Sequence, residues 1–224
     1  MLRLAILFLL AAQCCASEPQ ESAVRVTKSL TVVVIERGKV RNEVHIVGGS
    51  GTVIRSDGKR SWVLTNKHVC PDAEGKIEVH AGDKRFTAVW KGVDDKEDLC
   101  LLRIDVALPF AYLAETEPPA GAELRQWGYG GGTRTAKRGP CIGFCERIGN
   151  ALYSWHDLAT GIQNVDGDSG SGVFDSAGYL VGVTHGRSDG YLVEVTPGRV
   201  KYRPERGLCV PLKEVKRFLA GYER

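Results

Sequence analysis

The segment Asp166-Gly167-Asp168-Ser169-Gly170-Ser171-Gly172 sets a serine among glycines. A serine that attacks an acyl carbon must project its hydroxyl toward the substrate. Backbone N–H groups beside it must face the oxygen that becomes negative. Glycines allow the tight turn and open approach this requires. A plain Gly/Ser turn has the same composition, so the reading needs a base and a carboxylate elsewhere. Two segments supply them. Ser61-Trp62-Val63-Leu64-Thr65-Asn66-Lys67-His68 places His68 where the chain leaves an apolar strand. Glu97-Asp98-Leu99-Cys100-Leu101-Leu102 places Asp98 directly before a strongly apolar one. His68 and Asp98 stand 30 residues apart, and Ser169 follows 71 residues later. Together they permit nucleophilic acyl transfer. Ser169 attacks, His68 takes its proton, and Asp98 holds the ring tautomer and the imidazolium.

Other residues of the same types read differently. Asp94, Asp95 and Asp105 do not precede the apolar strand as Asp98 does, and Ser171 comes two residues late in the motif. His45, His80 and His156 read as surface or strand residues. Gly128-Tyr129-Gly130-Gly131-Gly132 has neither a following helix nor a G-K-[ST] ending, so it reads as a surface loop, not a phosphate cradle. Cys141 and Cys145 are close enough to pair or to bind a metal, but their spacing is weak evidence for either. No metal site and no cofactor is expected.

The elements that must position these residues are short strands separated by turns. Strands are expected over 24–35, 40–47, 51–54, 61–65, 76–80, 85–90 and 99–104. After Pro109, Pro118 and Pro119 a second set follows over 123–128, 141–148, 172–174, 180–184, 191–195 and 208–210. Pro211, Val215, Phe218 and Leu219 fit an amphipathic C-terminal helix. The pattern is all-β, with antiparallel barrels or sandwiches, divided into residues 18–115 and 116–224.

The first 17 residues have the layout of a secretory leader, to be cut after Ala16 or Ser17. Its apolar run, Leu4 to Ala12, is too short to span a bilayer. The mature protein is therefore expected to be secreted or periplasmic, with no membrane attachment. Removing the leader leaves five of seven cysteines, at positions 70, 100, 141, 145 and 209. Export permits disulfides, and an odd count leaves at least one thiol unpaired within the chain. Cys100, within an apolar run, reads as a buried small hydrophobe. The formal net charge of +3 is too small to argue for nucleic acid or an anionic membrane as partner.

The order His, Asp, Ser is that of chymotrypsin; subtilisin-like enzymes and α/β-hydrolases use other orders. The segments "SGTVI", "WVLTNKHV", "DLCLLRID", "GDSGSGVF" and "YLVGVTHG" resemble trypsin-like peptidases of the Deg/HtrA and bacterial glutamyl-endopeptidase groups, over about residues 48–187. The resemblance implies two antiparallel six-stranded barrels with a cleft between them, the first supplying His68 and Asp98 and the second Ser169. It implies an endopeptidase acting on a polypeptide, with the N–H groups of Gly167 and Ser169 as oxyanion donors. It places the substrate pocket at Gln163, Asn164 and Val165, with Thr184, His185 and Gly186. His185 there suggests an acidic or amide preference, if it faces the pocket. Gln163 stands where trypsins carry an Asp, which argues against cleavage after Arg or Lys. Asp168 also departs from the Asn usual in Deg relatives and matches trypsins. In those enzymes a buried Ile amine pairs with this Asp, and Ile46-Val47-Gly48-Gly49 looks like such an N-terminus. Cutting before Ile46 would remove strands the first barrel needs, so activation there is not expected. The competing expectation is a catalytically silent peptide-binding domain on the same fold.

Overall fold

Strand β1 (Ala23–Glu36) and the long β2 (Lys39–Ser56) pair antiparallel from Ala23↔Thr52 to Glu36↔Lys39. Both are rich in Val, Ile and Thr, whose branched side chains suit a pleated surface. The computed structural model describes residues 18–36, 39–70, 75–147, 155–188, 191–196, 199–203 and 206–222. Residues 1–17, the expected leader, lie outside the described residues.

On one side of this pair lie β3 (Ser61–Asn66), β7 (Leu99–Ile104) and β6 (Val89–Asp94); on the other lie β4 (Lys76–Ala81) and β5 (Lys84–Thr87). These strands form one seven-stranded sheet in the order β5-β4-β1-β2-β3-β7-β6. The sheet curls until Ala88, between β5 and β6, donates its N–H to the Ile77 carbonyl of β4 at 2.9 Å. Val24, Val26, Val53, Val63, Leu102 and Ile104 fill the curl.

The second half closes fully. Strands β8 (Glu123–Gly128), β9 (Thr135–Arg147), β10 (Trp155–Thr160), β11 (Gly172–Phe174), β12 (Leu180–Ser188) and β15 (Arg206–Pro211) form a closed six-stranded barrel. Strands β13 (Tyr191–Thr196) and β14 (Arg199–Arg203) pair as a separate hairpin. A short helix α1 (Pro19–Ser22) precedes β1, and α2 (Leu212–Ala220) ends the fold. Helix α2 buries Val215, Phe218 and Leu219, at the helical spacing expected from sequence.

The all-β class and the C-terminal helix agree with the sequence reading. Three details differ. The first half is a curled sheet of seven strands, not a closed six-stranded barrel, because 85–90 divides at Ala88, which bonds to Ile77. The strands expected over 40–47 and 51–54 are one, since pairing with β1 continues through Gly48, Gly49 and Ser50. Strand β10, with the buried polar Asp157, and β14 were not anticipated.

The two halves share an apolar core. Leu64, Leu99 and Leu101 of the first sheet pack with Phe174 and Val183 of the barrel and with Phe218 of α2. Truncating fully buried Leu64 to Ala loses both transfer energy and packing, and should cost about 2–5 kcal/mol by denaturant unfolding. Val89→Ala, at an exposed position, should change stability by less than about 1 kcal/mol.

Candidate active site

His68 leaves β3 in a single 3₁₀ turn, Lys67–Val69. What holds this turn is the backbone of Asp98. The Asp98 carbonyl accepts from the Lys67 N–H at 3.0 Å and from Asn66 Nδ2 at 3.0 Å. Asp98 has φ +55°, the only non-glycine residue with positive φ among the described residues. That region is costly for most side chains, and Asp is one of the few that enter it. The turned backbone points the carboxylate at His68. Oδ1 accepts from the His68 N–H at 2.9 Å, and Oδ2 meets Nδ1 at 2.6 Å. An ionised carboxylate has no hydrogen to give, so Nδ1 is the donor and Nε2 carries the free lone pair. One side chain thus fixes both the position and the tautomer of the imidazole.

Helix α2 steadies the segment that leads into Asp98. Arg217 Nη2 pairs with Asp94 Oδ2 at 2.8 Å and reaches Glu97 Oε1 at 3.6 Å. Burial, helped by Glu214, holds the Glu97 carboxyl above the usual carboxylate range.

Ser169 lies in a loop built from consecutive tight turns. The Asp168 N–H donates to the Val165 carbonyl at 3.0 Å, and the Ser171 N–H to the Asp168 carbonyl at 2.8 Å. Gly167 and Gly170 take φ +95° and +86°. Among the described residues the N–H groups of Gly167 and Ser169 have no acceptor, which leaves both free to meet an oxyanion.

Ser50 of β2 binds this loop to the first sheet. It is fully buried. Its N–H donates to the Ser169 carbonyl at 2.7 Å. Its Oγ donates to the Gly167 carbonyl at 2.7 Å and accepts from the Tyr129 N–H at 2.7 Å. Its carbonyl accepts from Thr65 Oγ1 at 2.7 Å. Next to it, a Cβ on Gly49 would stand 2.7 Å from Val69 Cγ2 and 2.8 Å from the Ser169 carbonyl oxygen. The residue after His68 and the backbone of Ser169 therefore touch the same glycine. His68 and Ser169 flank one seam, though among the described residues no hydrogen bond joins the Ser169 hydroxyl to His68. Catalytic hydrogen bonds are often long without substrate and tighten in the complex.

Sequence reasoning missed Lys137. Its ammonium, from β9, pairs with the Asp168 carboxylate and donates to the Gln163 carbonyl at 3.0 Å. The same carboxylate oxygen accepts from the Val165 N–H at 2.7 Å. Asp168 is 1% exposed, and the Lys137 ammonium offsets the cost of burying its carboxylate. Ile46 does not approach it. Ile46 pairs with Ser29 in the middle of the β1–β2 ladder and is 68% exposed. In sequence, Lys137 sits in the polar run Thr135-Ala136-Lys137-Arg138 and looks like a solvated charge.

A cavity of about 80 Å³ opens beside Ser169, walled by Asn164, Val165, Asp166, Thr184, Gly186 and Arg187. A second cleft of about 390 Å³, lined by Gly49, Tyr129 and Gly167, shares Asp166 with it. Of the residues expected to line the pocket, Asn164, Val165, Thr184 and Gly186 do so; Gln163 and His185 do not. The register between β12 and β15 shifts between Thr184 and Gly186, which leaves His185 as the extra residue of a bulge. Its Nε2 meets buried Asp157 Oδ1 at 3.1 Å, away from the pocket.

Residues 49–183 match the family model of the trypsin-like peptidase domain. This chain belongs to that family. It is 31% identical over 149 residues to a serine protease of Mycobacterium tuberculosis, Rv3671c, covering 63% of this chain and 36% of the relative. It is 29% identical over 153 residues to a probable periplasmic serine endoprotease, DegP-like, of Pseudomonas fluorescens, covering 66% and 30%. The match thus spans about a third of the length of these relatives. Among solved structures, the active form of the Rv3671c protease superposes with TM-score 0.67 at 25% identity, covering 90% of this chain and 81% of that one. An HtrA-type protease, AlgW, solved with a decapeptide, superposes with TM-score 0.69 at 19% identity, covering 91% and 65%. It shares the fold.

Removing either tie of the Ser169 loop should be costly. Lys137→Met leaves a buried carboxylate unpaired, with an expected loss of about 3 kcal/mol, and Lys137→Arg should recover part of it. Ser50→Ala orphans the Tyr129 N–H and the Gly167 carbonyl, with an expected loss of about 2–4 kcal/mol. Urea unfolding of the three variants beside the parent checks both figures.

Proposed function

We propose that the protein is an exported serine endopeptidase that hydrolyses polypeptides through an acyl-enzyme on Ser169. The observation that carries this reading is the two-point grip of Asp98 on His68, set beside the glycine-bounded Ser169 loop. Ser169 Oγ attacks the peptide carbonyl while His68 Nε2 takes its proton. Asp98 stabilises the imidazolium. The N–H groups of Gly167 and Ser169 receive the oxyanion. His68 then protonates the leaving amine, and water repeats the sequence on the ester. The names of the relatives, both serine proteases, agree with this chemistry. Export rests on the leader-like first 17 residues, and the name of the DegP-like relative, periplasmic, agrees with it. Among the described residues no helix is long and apolar enough to cross a membrane.

The acidic preference moves from His185 to another residue. Arg187 is the only cation among the walls of the pocket, and its Nη1 lies 3.5 Å from the Asn164 carbonyl. Of the two acids there, Asp168 is neutralised by Lys137 and Asp166 is exposed. A small acidic side chain before the scissile bond suits this pocket best.

One observation favours the silent peptide-binding reading: the Ser169 hydroxyl is not hydrogen-bonded to His68 among the described residues. Turnover separates the two. Casein hydrolysis by the parent should fall at least about 10⁴-fold in Ser169→Ala and in His68→Ala, since such residues act as a unit. An inert parent that still binds peptides supports the silent reading. For specificity, peptides differing only in the residue before the cut should be cleaved fastest with Asp or Glu there. Arg187→Ala should shrink that preference roughly tenfold, the scale of one lost charged contact. Equal cleavage of the whole panel contradicts it.

A further inference from the structure

Two buried thiols stand behind the His68–Asp98 pair, and the chemistry above does not use them. Cys70 lies two residues after His68, and Cys100 two residues after Asp98. Both are fully buried in the core of the first sheet. Their Sγ atoms are 3.0 Å apart. The three other described cysteines, Cys141, Cys145 and Cys209, lie on strands of the second barrel.

We infer that Cys70 and Cys100 are joined by a disulfide that covalently ties the segment carrying His68 to the strand that follows Asp98. The separation needs to shorten by only about 1 Å to reach the S–S bond length of about 2.05 Å. The backbone already brings the segments together. Cys100 pairs with Thr65 across β3 and β7, and Cys70 Sγ reaches the Asn66 carbonyl oxygen at 3.6 Å. The cross-link then runs beside the Asp98–His68 hydrogen bonds and restrains the same junction.

The reaction is thiol–disulfide exchange with a disulfide oxidant of the exported environment. The Cys70 thiolate attacks one sulfur of the oxidant and expels the other as a thiolate. The Cys100 thiolate attacks the Cys70 sulfur of the mixed disulfide and expels the second. Two protein thiols lose two electrons and two protons, and the oxidant leaves as two thiols. Neither sulfur is exposed, so exchange belongs to folding, before the sheet closes over them. Once formed, the bond is shielded, as a structural disulfide is.

The inference rests on the export reading for its oxidant, so its test uses an oxidant supplied in vitro. The full chain is refolded from reduced, denatured material in an oxidising glutathione buffer. It is then alkylated in denaturant without reductant and digested for mass spectrometry. The expected result is one cross-linked peptide pair joining Cys70 to Cys100, with both residues unalkylated until reductant is added. The thermal midpoint should then fall by roughly 5–15 °C on reduction, and a Cys70→Ala/Cys100→Ala double variant should lose that sensitivity. Recovery of both residues as alkylated thiols from folded protein overturns the inference, as does a bond from either to Cys141, Cys145 or Cys209. The readout does not involve peptidase activity. An inactive protein with the cross-link sinks the enzymatic reading alone.

Discussion

The site depends on how closely two halves of one chain can be brought together at Ser50. At this residue β2 of the first sheet meets the Ser169 loop of the barrel: the Ser50 N–H and hydroxyl bond across to the second half, and its carbonyl accepts from Thr65 within the sheet. Such a seam leaves no space for side chains. A Cβ on Gly49 would meet both Val69 and the Ser169 carbonyl oxygen, and one on Gly128 would run into Ser171 and Ser50. Glycines are thus required on both sides of the seam for close approach, beyond the left-handed turns at Gly167 and Gly170. Because the buried polar groups of Ser50 are all satisfied, it adds specificity of placement without the penalty of an unmet donor.

Charge placement around the two carboxylates of the site, Asp98 and Asp168, follows opposite rules. Asp98 stays partly open to solvent and is held by geometry: a positive φ, two hydrogen bonds accepted by its carbonyl and two accepted by its carboxylate from His68. Asp168, almost wholly enclosed, is held by charge, through Lys137 and the Val165 N–H. Desolvating a carboxylate costs several kcal/mol, whereas an exposed ion pair gives about 1 kcal/mol or less. The Lys137 pair therefore matters far more than the many surface pairs, such as Arg125–Glu123. It also lets the Ser169 loop form with an internal cation, while Ile46 stays in its strand.

The parts of this arrangement that were legible from sequence are those fixed locally. His68 and Asp98 could be picked out because each ends or begins an apolar strand, and Ser169 because Gly167, Gly170 and Gly172 cluster closely around it. What escaped was set by partners distant in the chain. Lys137 has no local signature; its role exists only because β9 passes the Ser169 loop. Cys100 read as an ordinary core residue until Cys70 was seen against it. His185 was placed at the pocket by the resemblance alone, and the bulge that turns it toward Asp157 has no local signature. The seven-strand count likewise depended on a single break at Ala88, made by a hydrogen bond to β4 that no local pattern encodes.

The central claim is that Ser169 is a nucleophile activated by His68. A fluorophosphonate reacts only with such a serine and marks it covalently. Incubation of purified protein with the probe, followed by mass mapping of the adduct, should place one phosphonyl group on Ser169. Labelling should be slowed by orders of magnitude in His68→Ala. An adduct on another residue, or none in folded wild-type protein, would contradict the account.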